Sequence, residues 1–188
     1  MPQWRSAILG DGSPLHIPRL DLASAPLEFG FSAKEIRAGM PRKRKPRARK
    51  ERSGRQCAAL PLAVRDGEIM VMLVTSRETR RWVLPKGWAE PDLAPHELAA
   101  KEAFEEAGLV GEIEPEPVGY YSYDKRLRGG RSVSCQVSVF PMWVGRQLKH
   151  WPEQGQRETR WLTLGQAAMA VDEGDLVTLL LRLAAPAE

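Results

Sequence analysis

Three glutamates, Glu102, Glu105 and Glu106, are crowded into the five-residue segment EAFEE. On a helix, residues three and four positions apart are neighbours, so this spacing places all three carboxylates on one face. Such a cluster of oxygen ligands suits a hard divalent cation, Mg²⁺ or alternatively Mn²⁺, which would neutralise the repulsion between the carboxylates. In isolation, three glutamates are more typical of a solvated helix face. The residues around them favour the metal site.

The helix that would carry these glutamates has recognisable ends. Pro95 suits the first helical position, Glu97 suits the first turn, and Gly108 suits a left-handed terminator after Ala107. Upstream, Gly87 lets the backbone turn tightly or approach a ligand. The pattern therefore predicts a glycine loop followed by an acidic helix.

The remaining elements alternate between strands and helices. QCAALPLAV and IMVMLVT read as strands joined by an Asp66-Gly67 hairpin turn, and RRWVLPKG contains a short strand that ends at Pro85. After the acidic helix, PVGYYSY, RSVSCQVSVFPMWV and TRWLTL read as strands, and the C-terminal segment reads as two helices broken at Gly174. This order predicts an α/β fold, a mixed sheet covered by helices on its faces.

From Gly87 to Leu109 the chain resembles the box of the Nudix hydrolases, G-x5-E-x7-R-E-U-x-E-E-x-G-U, in which U is a bulky aliphatic residue. The length of the box is preserved, and the residues at its required positions are Gly87, Glu102, Glu105, Glu106, Gly108 and Leu109. The resemblance extends over roughly Arg55 to Ala185 and implies the family's α/β/α sandwich. It divides the chain into an N-terminal extension, residues 1–54, and a Nudix domain, residues 55–188.

Three positions depart from the box. Leu93 replaces its first Glu, Lys101 replaces its Arg, and Ala103 is smaller than the usual aliphatic residue. In the family the Glu and Arg resemble a structural ion pair that braces the loop against the helix. We expect Leu93 to pack on apolar neighbours instead, and Lys101 to pair with Glu97 one turn earlier in the helix.

The resemblance also implies roles for individual residues. Glu105 and Glu106 would bind the metal, Glu102 would be a shared ligand or the base that deprotonates the attacking water, and the carbonyl of Gly87 would be a backbone ligand. Many family members add a distal carboxylate, for which Glu153 and Glu158 are both candidates. A cationic clamp is needed for the substrate phosphates. Its candidates are Lys86, Arg81, Arg126, Arg128 and Arg131. Each of the arginines could otherwise be a solvated surface residue, whereas Lys86 is favoured because it immediately precedes the box glycine.

These roles imply Mg²⁺-dependent hydrolysis of a pyrophosphate bond in a nucleoside diphosphate-linked or polyphosphorylated small molecule. GRQCAALPLAV, RRWVLPKGW and DKRLRGGR are similar to the branch of diphosphoinositol polyphosphate phosphohydrolases and diadenosine polyphosphate hydrolases. Lys86 matches the PKG of the diadenosine tetraphosphate enzymes, and Trp82 or Trp88 could stack a base. The alternatives are a 5′-end RNA pyrophosphohydrolase and a non-enzymatic, ligand-sensing domain.

Charge is distributed unevenly along the 188 residues. The net charge is +4, yet the block from Arg42 to Arg55 contains nine Lys or Arg residues and one Glu. Such a block is typical of a disordered or extended basic segment, and it either serves as a solvated linker or contacts a polyanion. The two cysteines, Cys57 and Cys135, lie in apolar segments and predict no disulfide framework. With no membrane-spanning run and no secretory signal in the sequence, we expect a cytoplasmic protein.

Overall fold

The computed structural model describes residues 54–126, 130 and 132–185, apart from the side chain of Arg126. The predicted basic segment lies outside these residues, except for Gly54 and Arg55. Eight strands and three helices follow one another along the described chain. The strands are β1 Gly54–Arg65, β2 Glu68–Thr75, β3 Trp82–Val83, β4 Lys86–Trp88, β5 Leu109–Ile113, β6 Gly119–Arg126, β7 Ser132–Gln147 and β8 Thr159–Thr163; the helices are α1 Pro95–Ala107, α2 Leu164–Ala170 and α3 Gly174–Ala184.

The strands form one mixed sheet whose main path is β3-β2-β1-β7-β5. β1 and β7 are parallel, from Gly54 opposite Cys135 to Leu62 opposite Trp143, and the other pairs are antiparallel. β4 pairs with the first half of β1, β6 with β7, and β8 with β2. The central β1–β7 pair therefore supports both the short strand that carries Lys86 and Gly87 and the β6 strand beside it.

Two apolar cores cover the two faces of this sheet. On one face, α2 and α3 pack through residues such as Ala167, Leu176 and Leu180. On the other face, α1 packs through Leu98, Ala99 and Ala103. Because successive side chains of a strand point to opposite faces, β1 supplies Leu60 to the first core and Ala59 to the second. The α/β/α sandwich predicted from the sequence is confirmed.

The hairpin predicted at Asp66-Gly67 joins β1 to β2. Both residues have positive φ, 52° for Asp66 and 81° for Gly67, as a two-residue hairpin loop requires. Two strands were not predicted: β4, which was expected to be part of a loop, and β5, which follows Gly108 directly. Both are short and lack alternation, so only their pairing with β1 and β7 defines them. Cys57 and Cys135 are buried and free. Within the described residues no helix is long and apolar enough to cross a membrane.

Candidate metal and phosphate site

Helix α1 places the three glutamates at the edge of the sheet. It begins with Pro95 in its first turn and ends at Gly108, whose φ of 67° is the left-handed conformation that terminates a helix. Ala103 is fully buried against the sheet, so the small residue at this box position allows close packing of the helix. The carboxylates of Glu102, Glu105 and Glu106 lie along one wall of a cavity of about 1140 Å³.

Gly87 and Glu102 are in close contact across this wall. A Cβ atom placed on Gly87 would collide with the carboxylate of Glu102 and would lie 2.9 Å from its Cγ. Glycine therefore allows the close approach of strand β4 to the glutamate side chain, which a Cβ atom would have to displace. This contact brings the Gly87 backbone and the Glu102 carboxylate, which the sequence predicted as ligands, to the same side of the cavity.

Glu106 lies deeper and is held by two groups. One of its oxygens forms an ion pair with Nη2 of Arg157, and the other accepts a hydrogen bond from the backbone N–H of Lys86 at 3.3 Å. The side chains of Glu106 and Arg157 are only 6% and 7% exposed. Burying either charge alone would be costly, so each stabilises the other.

Arg157 is not among the functional residues that the sequence predicts. Its guanidinium also donates from Nε to Glu153 at 2.7 Å and from Nη1 to the carbonyl of Thr75 at 3.0 Å. No spacing rule connects Arg157 with Glu106, which lies 51 residues earlier. The usable signal was its position between Glu153 and Glu158, the two candidate distal carboxylates.

Burial alters the ionisation of the acidic side chains in the cavity. Desolvation and then the neighbouring Glu105 carboxylate raise the pKa of Glu102 to about 7. Desolvation also raises the pKa of Glu106, although Arg157 and Lys86 oppose this effect. A cation near these carboxylates would favour their ionised forms.

Lys86 lies beside the glutamates. Among the predicted substrate-binding residues whose side chains the structure describes, it is the one in this position. It lines the cavity, and its Nζ is 5.6 Å from the centroid of the Tyr123 ring. Burial lowers its pKa to about 8, while Glu106 and Glu173 act in the opposite direction. Tyr123 is fixed in turn by a 2.6 Å hydrogen bond from its hydroxyl to Gln56.

The predicted arginines have different positions. Arg81 lines the cavity, but its Nη1 is 3.2 Å from the buried Glu173 and 3.6 Å from Asp172. Its guanidinium is therefore partly neutralised by the residues that precede α3. The side chain of Arg126 and all of Arg128 and Arg131 lie outside the described residues.

The two candidate distal carboxylates lie in different surroundings. Glu153 lines the cavity, is held by Arg157, and is 3.4 Å from Nη1 of Arg77. Glu158 is 64% exposed, is paired with Arg80, and does not line the cavity. The arrangement therefore favours Glu153, whose role as a ligand stays a prediction.

The loop before α1 differs from its prediction in one respect. Lys101 does not pair with Glu97; its Nζ contacts Glu90 Oε1 at 2.7 Å. Glu97 instead accepts a hydrogen bond from the backbone N–H of Ala94 at 3.3 Å, which caps the helix. Leu93 packs against the core beneath α1, as expected. The loop is thus tied to the helix by an ion pair from Glu90, three residues before the box position.

The residues present fit a divalent cation. In the part of the chain that the structure describes, the side chains of Glu102 and Glu105 make no ion pair, although both line the cavity. No three His, Cys, Asp or Glu side chains among the described residues are grouped closely enough to hold an ion by themselves. The Gly87 carbonyl, water and phosphate oxygens would complete the coordination, which is how proteins commonly bind Mg²⁺.

The fold and the site together define a class: an α/β/α sandwich in which a glycine-bearing strand and a glutamate-rich helix form one wall of a cavity. The sequence profile of the NUDIX domain matches residues 54–180. The chain belongs to the NUDIX family.

Related proteins agree with this assignment. The chain is 32% identical over 111 residues to mitochondrial Nudix hydrolase 13 of Arabidopsis thaliana, a match that covers 54% of this chain and 53% of the relative. It is 34% identical over 107 residues to mitochondrial Nudix hydrolase 12 of the same plant, with 53% and 51% covered. The chain thus spans about half the length of the curated relatives it matches.

Solved structures share the fold at lower identity. An Ap4A hydrolase binary complex from C. elegans has a TM-score of 0.53 at 18% identity, covering 70% of this chain and 95% of that one. The NUDIX domain of Shewanella oneidensis NrtR, in complex with ADP ribose, has a TM-score of 0.53 at 16% identity, covering 74% and 90%. These similarities establish the α/β/α sandwich.

Proposed function

We propose that the protein hydrolyses a pyrophosphate bond in a nucleoside diphosphate-linked or polyphosphorylated small molecule, with Mg²⁺ as its metal ion. The observation that carries this proposal is the contact between Gly87 and Glu102 beside Glu105 and Lys86. It joins two carboxylates suited to a hard cation to a partly buried ammonium group suited to phosphate. Membership of the NUDIX family supports the same reaction, because its members generally use divalent metal ions.

Each residue has a distinct task in this reaction. The cation would be held by Glu102, Glu105 and the Gly87 carbonyl. Glu106, which is paired with Arg157, would also bind it. When bound, Mg²⁺ would act as a Lewis acid toward the phosphate oxygens and the attacking water. Lys86 would bind a phosphate oxygen and orient the pyrophosphate bridge along the cavity.

The bond changes are those of a hydrolysis. A water oxygen forms a bond to one phosphorus atom of the bridge, and the bond from that phosphorus to the bridging oxygen breaks. A glutamate takes one proton of the water, and Glu102 is the candidate because its pKa is raised to about 7, which suits a base near neutral pH. The bridging oxygen leaves with the second phosphate, so no oxidant, reductant or further co-reactant is required.

Trp88 favours a substrate that contains a nucleoside. It follows Gly87 directly, lines the cavity and is 42% exposed, which is unusual for a large aromatic residue. Its ring packs over the backbone of Gly54, and Nζ of Lys125 lies 4.7 Å from its centroid. An exposed ring in a phosphate-binding cavity can stack a base. The ADP ribose bound to the NrtR domain and the Ap4A in the name of the C. elegans hydrolase are consistent with this choice.

Chromatographic detection of the cleavage products of diadenosine tetraphosphate, ADP-ribose, an inositol pyrophosphate and 5′-triphosphate RNA, each with Mg²⁺ and with EDTA, tests the proposal. We expect Mg²⁺-dependent turnover of at least one nucleotide. Glu105→Gln should reduce it roughly 100-fold or more, about 2.7 kcal/mol of transition-state stabilisation. Glu112→Gln, at an exposed position of β5, is the matched control and should retain activity. Full activity of Glu105→Gln would exclude this mechanism.

A non-enzymatic, ligand-sensing function is the second candidate, and the ADP ribose bound to the NrtR domain is the observation that favours it. Binding of ADP-ribose, followed by calorimetry, together with no turnover of any tested substrate, would support the sensor. Mg²⁺-dependent product formation would exclude it.

We also propose a cytoplasmic location. The names of several relatives include mitochondrial or chloroplastic, so cell fractionation of the full-length protein is the direct test. Recovery with an organelle fraction would contradict the proposal.

A further inference from the structure

Arg157 joins three separate parts of the chain. Its Nη1 donates to the carbonyl of Thr75 at the end of β2, its Nη2 pairs with Glu106 on α1, and its Nε donates to Glu153 in the loop between β7 and β8. Among the described residues, no other side chain contacts all three of Thr75, Glu106 and Glu153. The guanidinium is the common centre of the cavity's acidic wall.

The geometry of this contact depends on the planar fork of arginine. Nε and Nη2 lie on one edge of the guanidinium, and they bind two different carboxylates rather than both oxygens of one. On the other edge of the guanidinium, Nη1 donates to the carbonyl oxygen of Thr75. Thr75 is the last residue of β2, so this contact ties Arg157 to the sheet. A lysine has one nitrogen on a flexible stem and cannot reproduce three fixed directions.

The loop that carries Glu153 docks on the same helix end. The backbone N–H of Glu153 donates to the carbonyl of Glu105 at 3.0 Å, and the N–H of Leu148 donates to the carbonyl of Gly108 at 2.8 Å. Trp151 lies against Gly108, where a Cβ atom would approach its ring within 2.7 Å. The backbone is therefore already positioned, and Arg157 fixes where the two carboxylates point.

We propose that Arg157 is a positioning residue for the metal site, one that holds Glu106 and Glu153 toward the cavity so that they can serve a bound divalent cation. This inference rests on the proposed function, because it presumes that Glu102 and Glu105 bind that cation. Arg157 itself does not bind the metal. It acts through the two carboxylates, as outer-shell partners do in other metal sites.

Metal affinity, measured without turnover, tests the proposal. Mn²⁺ is titrated into the full chain and followed by electron paramagnetic resonance, with Arg157→Lys compared against the wild type. Lysine keeps the positive charge but removes the fork, so we expect Mn²⁺ affinity to fall about 10- to 100-fold. The matched control is Arg160→Gln, since Arg160 is exposed, lies over Trp82 and does not line the cavity.

Arg157→Gln separates positioning from simple competition. If Arg157 only competed with the metal for Glu106, removing its charge would tighten Mn²⁺ binding, and that result would overturn the proposal. Wild-type Mn²⁺ affinity in Arg157→Lys would overturn it as well, because charge alone would then be sufficient. Weaker binding in both variants is the expected result.

A second variant covers the case in which substitution of Arg157 unfolds the protein. Glu153→Gln leaves Arg157 bound to Glu106 and Thr75 and removes only the carboxylate that Nε holds. We expect weaker Mn²⁺ binding here too, with melting curves in EDTA confirming that the variant is folded; unchanged affinity would refute a metal-directed role for Glu153.

The two proposals fail in different ways. Wild-type Mn²⁺ binding and turnover, with unchanged affinity in Arg157→Lys, would refute the positioning role and leave the hydrolase intact. Mn²⁺ binding that weakens in the variants, without turnover of any substrate, would refute the hydrolase and leave the positioning role. A wild-type protein that binds no Mn²⁺ would refute both.

Discussion

At the scale of single residues, the candidate site depends on Gly87, which has no side chain, as well as on the glutamates. Gly87 does not have a positive φ, so its backbone conformation is open to other residues. A Cβ atom would instead have to displace the carboxylate of Glu102, which occupies the space where that atom would be. The glycine thus allows the contact with Glu102 and is not needed for a turn.

Gly87→Ala should therefore impair activity much more than stability. The added methyl group would displace Glu102, and a displacement of about 1 Å at a reacting centre can cost roughly 100-fold in rate. The measurement is kcat for Mg²⁺-dependent turnover together with the melting temperature in EDTA.

Gly165→Ala is the matched control for that substitution. Gly165 lies in α2, where a Cβ atom would meet nothing within 4 Å. Alanine there should leave turnover unchanged and raise stability by about 0.5–1 kcal/mol, since glycine is unfavourable inside a helix. Equal turnover in Gly87→Ala and the wild type would show that Glu102 need not lie against strand β4.

At the scale of elements, the loop before α1 is secured by two contacts of different strength. The Lys101–Glu90 ion pair is partly exposed, with side chains 20% and 45% accessible. Leu93, in the place of the family's acidic residue, packs against the core shared by α1 and the sheet. Exposed ion pairs contribute about 0–1 kcal/mol, whereas apolar burial in a core contributes more.

Urea unfolding should rank these two contacts. We expect Leu93→Ala to lower the free energy of unfolding by about 1–2 kcal/mol, below the 2–5 kcal/mol typical of a fully buried leucine. Lys101→Gln should lower it by less than about 1 kcal/mol. The opposite ranking would mean that the ion pair, and not the leucine, holds the loop on the helix.

The elements also show what the sequence could and could not predict. Pro95 and Gly108 define the ends of α1 because capping is local, and the alternation in β7 predicts its buried face because strand periodicity is local. The partners of Lys101, Arg81 and Arg157 were missed or assigned wrongly. Each pairs with a carboxylate from another element, so packing, and not sequence spacing, determines the contact.

At the scale of the whole molecule, charge is distributed unequally between the domain and the sequence before it. Residues 42–55 contain nine of the 28 Lys and Arg residues, whereas residues 56–188 contain more acidic than basic residues. The described chain begins at Gly54, which packs beneath Trp88 at the cavity, and Arg55 bonds through its carbonyl to Ala89. The basic block therefore joins the fold next to the proposed substrate site.

This position makes a longer polyanion the test of the block's role. If the substrate is a 5′-triphosphate RNA, basic residues just before Gly54 would neutralise phosphates beyond the cavity, and kcat/KM would fall steeply with salt. Neutralising four of them to glutamine in the full chain should lower kcat/KM for a 20-nucleotide RNA about 10-fold near 100 mM salt. Diadenosine tetraphosphate, which is much shorter than this RNA, should change about 2-fold or less. The four substitutions are at Arg47, Arg49, Lys50 and Arg52.

The same number of charges can be removed elsewhere as a control. Residues 1–41 contain four basic residues spread along the segment: Arg5, Arg19, Lys34 and Arg37. Because phosphate contacts act over about a Debye length, roughly 10 Å at 0.1 M salt, these scattered charges should affect RNA turnover less than the block does. Equal losses in the two variants would indicate a general effect of net charge. If neither variant loses RNA turnover, the basic block has a role apart from catalysis. The small-molecule substrate would then be favoured over RNA.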